Sequence, residues 1–321
     1  MCTAISFLAD HHYFGRNLDL EYHYSESVTI TPRNYPFTFR KTEAVTNHPA
    51  IIGIATVIDG YPLYYDAVNE YGLCAAALNF PGNAVYNDID HHRINISAFE
   101  LIPYLLGKFR TISDVKENLK NINIVDISFN SKLPLTPLHW FVADQNETIV
   151  IEQTSDGLNV YDNPFRLLTN NPPFPYHLEN INNYMNLTAN EPTNRFSAQL
   201  ELKAYSRGLG AIGLPGDLSS ASRFIRGTFV LHNAKRNADP LSQFFHILSS
   251  VEQQEGCVHV GNHLEKTVYT SCCDADLGIY YYTTYENRQI TGIKLKSHDL
   301  SATELTSYPL RFDQKIYWES K

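Results

Sequence analysis

Along most of this chain apolar residues alternate with polar ones or gather in short runs broken by Gly, Pro, Asn and Asp, a pattern that predicts strands more often than helices. Strands are predicted over residues 2–8, 13–18 and 28–31, with a polar turn Ala9-Asp10-His11-His12 between the first two. Further strands are expected at 51–57, 73–78, 139–143, 148–153, 157–161 and 166–169, and a meander at 267–273, 278–285 and 289–296. Helical spacing is clearest over 98–109, where Ser97 and Glu100 form a capping box and Leu101, Ile102, Leu105 and Phe109 share a face. Shorter helices are predicted at 114–121, 178–185 and 241–251, and another after Ser219 or Ser220 that carries Arg223 and Arg226. Groups of strands separated by blocks of helix fit an α+β architecture of layered antiparallel sheets better than alternating βαβ units. Residues 1–321 are expected to form one domain, without repeats, linkers or low-complexity tracts.

Composition narrows the function. Hydrophobic residues make up 43% of the chain, enough for a large core. The net charge of −9 comes without any Lys/Arg cluster, which argues against a nucleic-acid partner. No apolar run is long enough to span a membrane, and the run at 3–8 lacks the basic flank of a signal peptide, so a cytoplasmic protein is expected. Three sequons, at Asn95, Asn146 and Asn186, are then accidental. Five cysteines without C-x-x-C spacing indicate neither a disulfide framework nor a zinc ribbon. Cys272 and Cys273 should point to opposite faces of a strand, with one of them in the core.

Several motifs lead nowhere. Gly208-Leu209-Gly210-Ala211-Ile212-Gly213 fits G-x-G-x-x-G, but Pro215 follows where a helix should open and Asn233 stands where an acidic residue is required, so no dinucleotide cofactor is expected. The pairs His11-His12 and His91-His92 have no carboxylates at ligand spacing and are read as solvated turns rather than metal sites. A G-x-S-x-G serine elbow is absent.

Cys2 carries the chemistry. Removal of Met1 would place a thiol and a free α-amine on one residue, and an amine of pKa about 7.7 to 8 can take the proton of a thiol of pKa about 8.5 without a histidine. Pairing residues 2–8 with 13–19 across a four-residue turn sets Cys2 opposite Asp19, with Arg16 nearby on the same strand. Arg16 and Asp19 differ in parity, so a twist or bulge is needed for both to reach one site.

The run Met1-Cys2-Thr3-Ala4-Ile5, then Phe14-Gly15-Arg16-Asn17-Leu18-Asp19, resembles the choloylglycine hydrolase family of N-terminal-nucleophile enzymes, which includes bile salt hydrolases and penicillin V acylases. The likeness extends through Asn69-Glu70-Tyr71-Gly72-Leu73, Leu78-Asn79-Phe80-Pro81, Leu138-His139-Trp140, Leu168-Thr169-Asn170-Asn171-Pro172, Gly213-Leu214-Pro215-Gly216-Asp217, Ala221-Ser222-Arg223-Phe224 and 280–285. It implies a four-layer αββα sandwich, a homotetramer, no cofactor, and hydrolysis of the amide of a conjugated bile salt through a thioester on Cys2. It further implies that Arg16 and Asp19 position and tune the nucleophile, that Asn79 and Asn170 serve the oxyanion or the amine, and that Arg223 completes the set. Asn79 resembles the bile salt hydrolase pattern, many penicillin V acylases having tyrosine there. Leu18, Phe129, Leu133 and Leu135 are candidate lining for the steroid, with core packing as their other reading. Two alternatives use the same residues differently: a penicillin V acylase or other N-acyl amidase, and a non-catalytic binding protein that keeps Met1 or has an inert thiol.

Overall fold

The computed structural model describes residues 1–236 and 239–320. Its first sheet runs in the order Leu167–Leu168, Cys2–Leu8, His12–Leu20, His263–Asp274, Ile279–Thr284, Thr291–Lys294, with Val258–Val260 paired to the start of His263–Asp274. The second runs Gly157–Asp162, Thr148–Thr154, Leu138–Ala143, Cys74–Asn79, Tyr61–Asn69, Ile51–Ile58, Ser27–Thr31, Thr306–Pro309. Both are antiparallel throughout. A small parallel pair, Ile94–Ser97 with Ile122–Val125, stands apart from them.

The sheets face one another across a core that includes Phe14 and Cys273 from the first and Ile52, Ile54, Val68, Ala76 and Phe141 from the second. The rings of Phe14 and Phe141 stack at 5.6 Å between centroids. Helices Ser220–Asn233 and Pro240–Ser249 cover the outer face of the first sheet through Phe224, Ile225, Phe244, Ile247 and Leu248. Helices Leu101–Lys108 and Ile112–Leu119 cover that of the second, closing over Ile51, Ala75, Trp140 and Val142. The expected αββα layering is borne out, and it explains why Cys272 and Cys273 are both buried: each face of their strand has a covering layer.

Local signals place most elements. Ser97 and Glu100 make the expected capping box, although the first turn after it is a 3-10 turn, Ala98–Glu100, and the α-helix starts at Leu101. The helix expected at 178–185 is instead Phe174–Asn180 followed by a 3-10 turn, because Pro173 and Pro175 suit a helix start and bring it forward. Strand Tyr61–Asn69 is absent from the sequence reading, since Pro62, Asp66 and Asn69 interrupt its apolar pattern. Asp66 nonetheless lies buried between the sheets, accepting hydrogen bonds from Tyr269 (2.8 Å), Ser271 (3.0 Å) and Tyr280. The glycine-rich stretch at 208–213 forms a 3-10 turn, Leu209–Ala211, not a strand-to-helix turn.

The first hairpin fixes the site. Cys2–Leu8 pairs with His12–Leu20 so that Leu8 faces His12 and Cys2 faces Leu18. The turn therefore has three residues rather than the expected four, because His12 belongs to the strand: its amide donates to Asp276 at 2.9 Å and its ring meets Ser6 Oγ at 2.9 Å. At Gly15 the neighbouring strand comes so close that a Cβ would lie 2.1 Å from the Ser271 carbonyl oxygen. Gly15→Ala is accordingly expected to destabilise the protein by about 1–3 kcal/mol; an unchanged urea midpoint would show that the strands can part without cost.

Candidate active site

The one-residue change of register redistributes the side chains around Cys2. Ala4 pairs with Arg16, so Arg16 projects from the same face as the Cys2 thiol, towards the second sheet. Asp19 projects from the opposite face, towards the helices. The expected pairing of Cys2 with Asp19 is thus corrected: Asp19 lies beside Met1, its amide donating to the Met1 carbonyl at 2.9 Å. No twist is needed to gather Arg16 and Asp19 on one face, because they approach Cys2 from two sides.

Arg16 is fully buried. Its Nη1 donates to the carbonyls of Tyr65 (3.1 Å) and Ala77 (2.5 Å) on the second sheet, and its Nε to Asn17 O at 3.4 Å. Nη2 has no partner among the described residues. Burial opposes its charge, while Cys2, Tyr269, Asp66 and Asp19 favour it and leave its pKa raised.

Asp19 accepts from Thr267 Oγ1 at 2.6 Å. A bulge between Thr267 and Tyr269 creates that contact: it offsets the strand by one residue, so that Thr267 pairs with Asp19 while Tyr269 pairs with Leu18. Burial raises the Asp19 pKa, against the pull of the N-terminal ammonium, Arg223, Thr267 and Arg16.

Asn170 follows the short strand Leu167–Leu168 beside Cys2–Leu8. Its Oδ1 accepts from the Cys2 nitrogen at 2.8 Å and from Arg223 Nη2 at 2.9 Å. Its Nδ2 donates to the Asn79 carbonyl at 2.7 Å, so Asn79 joins the cluster through its backbone at the end of strand Cys74–Asn79. Arg223, in the first turn of Ser220–Asn233, donates through Nη1 to Cys2 O and Thr3 Oγ1, both at 2.6 Å, and through Nε to Leu218 O at 3.0 Å. Burial lowers the Arg223 pKa, offset by Asp19, Cys2 and Glu265.

The five residues expected beside Cys2, namely Arg16, Asp19, Asn79, Asn170 and Arg223, therefore meet around it, Asn79 through its backbone. The apolar four divide. Leu18 pairs directly with Cys2, whereas Phe129 and Leu135 pack against the other core, Phe129 beside Tyr61, Phe99 and the Arg40 guanidinium. Leu133 is half-buried in the loop before Leu138–Ala143. Burial pushes the thiols of Cys74, Cys272 and Cys273 far up, which keeps them protonated and unreactive.

Sequence reasoning missed the supports. The His139 ring lies between Glu152 Oε1 (3.1 Å) and Thr169 O (3.0 Å) and stacks on Phe80 at 4.3 Å, while Ser220 Oγ accepts from the Asn170 amide at 2.8 Å. Thr267 and Glu265 likewise carry no local signal; a His on the apolar face of a predicted strand was the only available clue. Long-range pairing also brings carboxylates to His11 that spacing did not show: its Nδ1 is 2.8 Å from Asp274, with Asp276 in the same group.

The profile of linear amide C–N hydrolases of the choloylglycine hydrolase family matches residues 2–308. The chain belongs to this family. A Bile salt hydrolase/transferase of Lactiplantibacillus plantarum is 53% identical over 99% of both chains. Another of that name, from Clostridium perfringens, is 40% identical over 96% of each. The structure matches the crystal structure of the C2A mutant conjugated bile acid hydrolase from Clostridium perfringens with a TM-score of 0.93, at 37% identity and over the whole of both chains. It matches a penicillin V acylase from Agrobacterium tumefaciens with a TM-score of 0.74 at 17% identity, covering 95% of this chain and 90% of that one, a likeness of fold alone. The fold is that of the N-terminal-nucleophile hydrolases, and the chain is an amidohydrolase with cysteine at the position of the family nucleophile.

Two buried rings, His177 behind Asn170 and His12 at the far end of the first hairpin, make stability depend on pH. Burial holds His12 and His177 at about 4, against 6.5 for a free imidazole. As pH falls below 6.5 the unfolded chain binds protons that the folded chain refuses, so stability declines towards pH 4 by on the order of 3 kcal/mol per ring. Urea denaturation at pH 7 and 4.5 should show a smaller loss for His177→Gln than for the wild type; equal losses would contradict the assignment.

Proposed function

We propose that this protein hydrolyses the amide bond of conjugated bile salts, releasing glycine or taurine, with Cys2 as nucleophile after Met1 is removed. The observation that carries this reading is the two-sided arrangement of Cys2: its nitrogen is held by Asn170 Oδ1 while its thiol shares a face with the buried Arg16. The bile salt names of the relatives at 53% and 40% identity support the substrate.

The freed α-amine accepts the thiol proton, and Arg16 stabilises the thiolate by its charge. The thiolate attacks the amide carbon and forms a tetrahedral oxyanion. Asn170 accepts the Cys2 N–H through its oxygen, which assigns it to the amine and leaves oxyanion donation to the half-buried Asn79 side chain, a contact of a type that contributes about 2.7–4 kcal/mol of barrier. The Cys2 ammonium returns its proton to the departing nitrogen. Water, deprotonated by the same amine, then attacks the thioester and regenerates the thiol. Arg223 ties the Cys2 carbonyl to Asn170 and keeps the amine in place. Leu18 begins an apolar wall for the acyl group; burying about 200 Å² of sterol there supplies roughly 5 kcal/mol before the costs of association.

A homotetramer in the cytoplasm completes the proposal. Exposed apolar side chains in the segment after helix Phe174–Asn180, Met185, Phe196 and Tyr205 among them, support association of copies. No helix among the described residues is long and apolar enough to cross a membrane.

Amine release from glycocholate, taurocholate and penicillin V, with intact mass measured alongside, tests the reading. The bile conjugates should be cleaved preferentially by protein lacking Met1, and Cys2→Ala should abolish turnover while unfolding at the same midpoint. Hydrolysis by Cys2→Ala would remove the assigned nucleophile, and faster cleavage of penicillin V would change the substrate.

A further inference from the structure

Strand His263–Asp274 brings one more carboxylate to the start of Cys2–Leu8. With Thr267 paired to Asp19, Glu265 reaches the N-terminus, where its Oε2 lies 2.8 Å from the Met1 ammonium. The same ammonium donates to the Asp19 carbonyl at 2.7 Å. Glu265 is 3% exposed, and its Oε1 has no hydrogen-bond partner among the described residues. Asp19 Oδ2 is equally unpartnered, with Arg223 Nη1 at 4.0 Å as its nearest cation. Two buried carboxylates thus face the N-terminus, each with one free oxygen.

Excision of Met1 removes the cation that pairs with Glu265 and creates another, one residue along, at the Cys2 nitrogen. A carboxylate left buried without a cation is costly, and the space vacated by Met1 lies between Glu265 and the new ammonium. We propose that Glu265 is a positioning residue for the mature N-terminus, holding the Cys2 α-amine jointly with Asp19 and setting the pH at which that amine becomes a base. This inference rests on the reading of Cys2 as an N-terminal nucleophile and names a residue that reading does not contain.

The charges around the amine give the sign. Arg16 and Arg223 disfavour an ammonium, whereas Asp19, Glu265 and the nearby Glu21 favour it; His177, behind Asn170, is neutral in the working range. With Asp19 alone facing two guanidinium groups, the amine would lose its proton at lower pH. It would then accept the thiol proton weakly and deliver it readily to the leaving nitrogen. Glu265 restores the balance, keeping the amine basic enough for the first transfer.

The test is kcat/KM for glycocholate against pH in mature wild type, Glu265→Gln and Glu265→Asp, with intact mass confirming Met1 removal in each. In Glu265→Gln the acid limb should move to lower pH by about 1 unit. In Glu265→Asp, whose shorter side chain draws the charge back, it should move the same way by less. A purely structural role would lower the kcat plateau and the thermal midpoint while leaving the limb in place. An acid limb that stays put, or moves up, in folded Glu265→Gln overturns the proposal. If only Glu265→Asp folds, an unmoved limb in that variant overturns it. Failure of the underlying reading shows separately, as turnover that persists in Cys2→Ala, an outcome no change at position 265 can imitate.

Discussion

A buried guanidinium must have its donors met, and Arg223 meets them only by drawing three separate pieces of chain together. Its Nη1 requires the Cys2 carbonyl and the Thr3 hydroxyl, its Nη2 requires Asn170, and its Nε closes on Leu218 in the turn that leads into its own helix. Leaving such a charge unpaired would cost several kcal/mol, so helix, edge strand and hairpin are held to one arrangement. Asn170 is fixed by the same demand, since its oxygen is already committed to Arg223 when it receives the Cys2 nitrogen. The order of the site is therefore a property of the layers: the outer helix supplies the clamp, the first sheet the nucleophile, and the second sheet the anchor for Arg16.

How much of this was legible in the sequence depended on the range of the interaction. Cys2 beside Met1, the alternation of the strands and the capping box at Ser97 are local, and each could be read from a few neighbours. The register of the first hairpin could not, because whether His12 belongs to the turn or the strand is decided by Asp276, 264 residues away. That single residue determined which of Arg16 and Asp19 would share a face with the thiol. Glu265 and Thr267 were invisible for a related reason: a bulge one residue wide decides that they reach the N-terminus, and a bulge leaves no mark in the apolar pattern.

Strand Tyr61–Asn69 illustrates the opposite error. Asp66 breaks the expected alternation because it serves the interior, where two tyrosines and a serine of the first sheet satisfy it. Local consistency fails at the place where the structure holds a polar network between its sheets, next to the cation that faces the nucleophile.

Arg16 is fastened to the second sheet by the carbonyl oxygens of Tyr65 and Ala77, not by their side chains. Main-chain atoms are common to every residue type, so the identities at 65 and 77 can drift without releasing the cation. Descendants of this chain can thus repack the side chains of the second sheet at these positions while the charge beside the thiol stays where it is, and the packing of that sheet is able to diversify independently of reactivity.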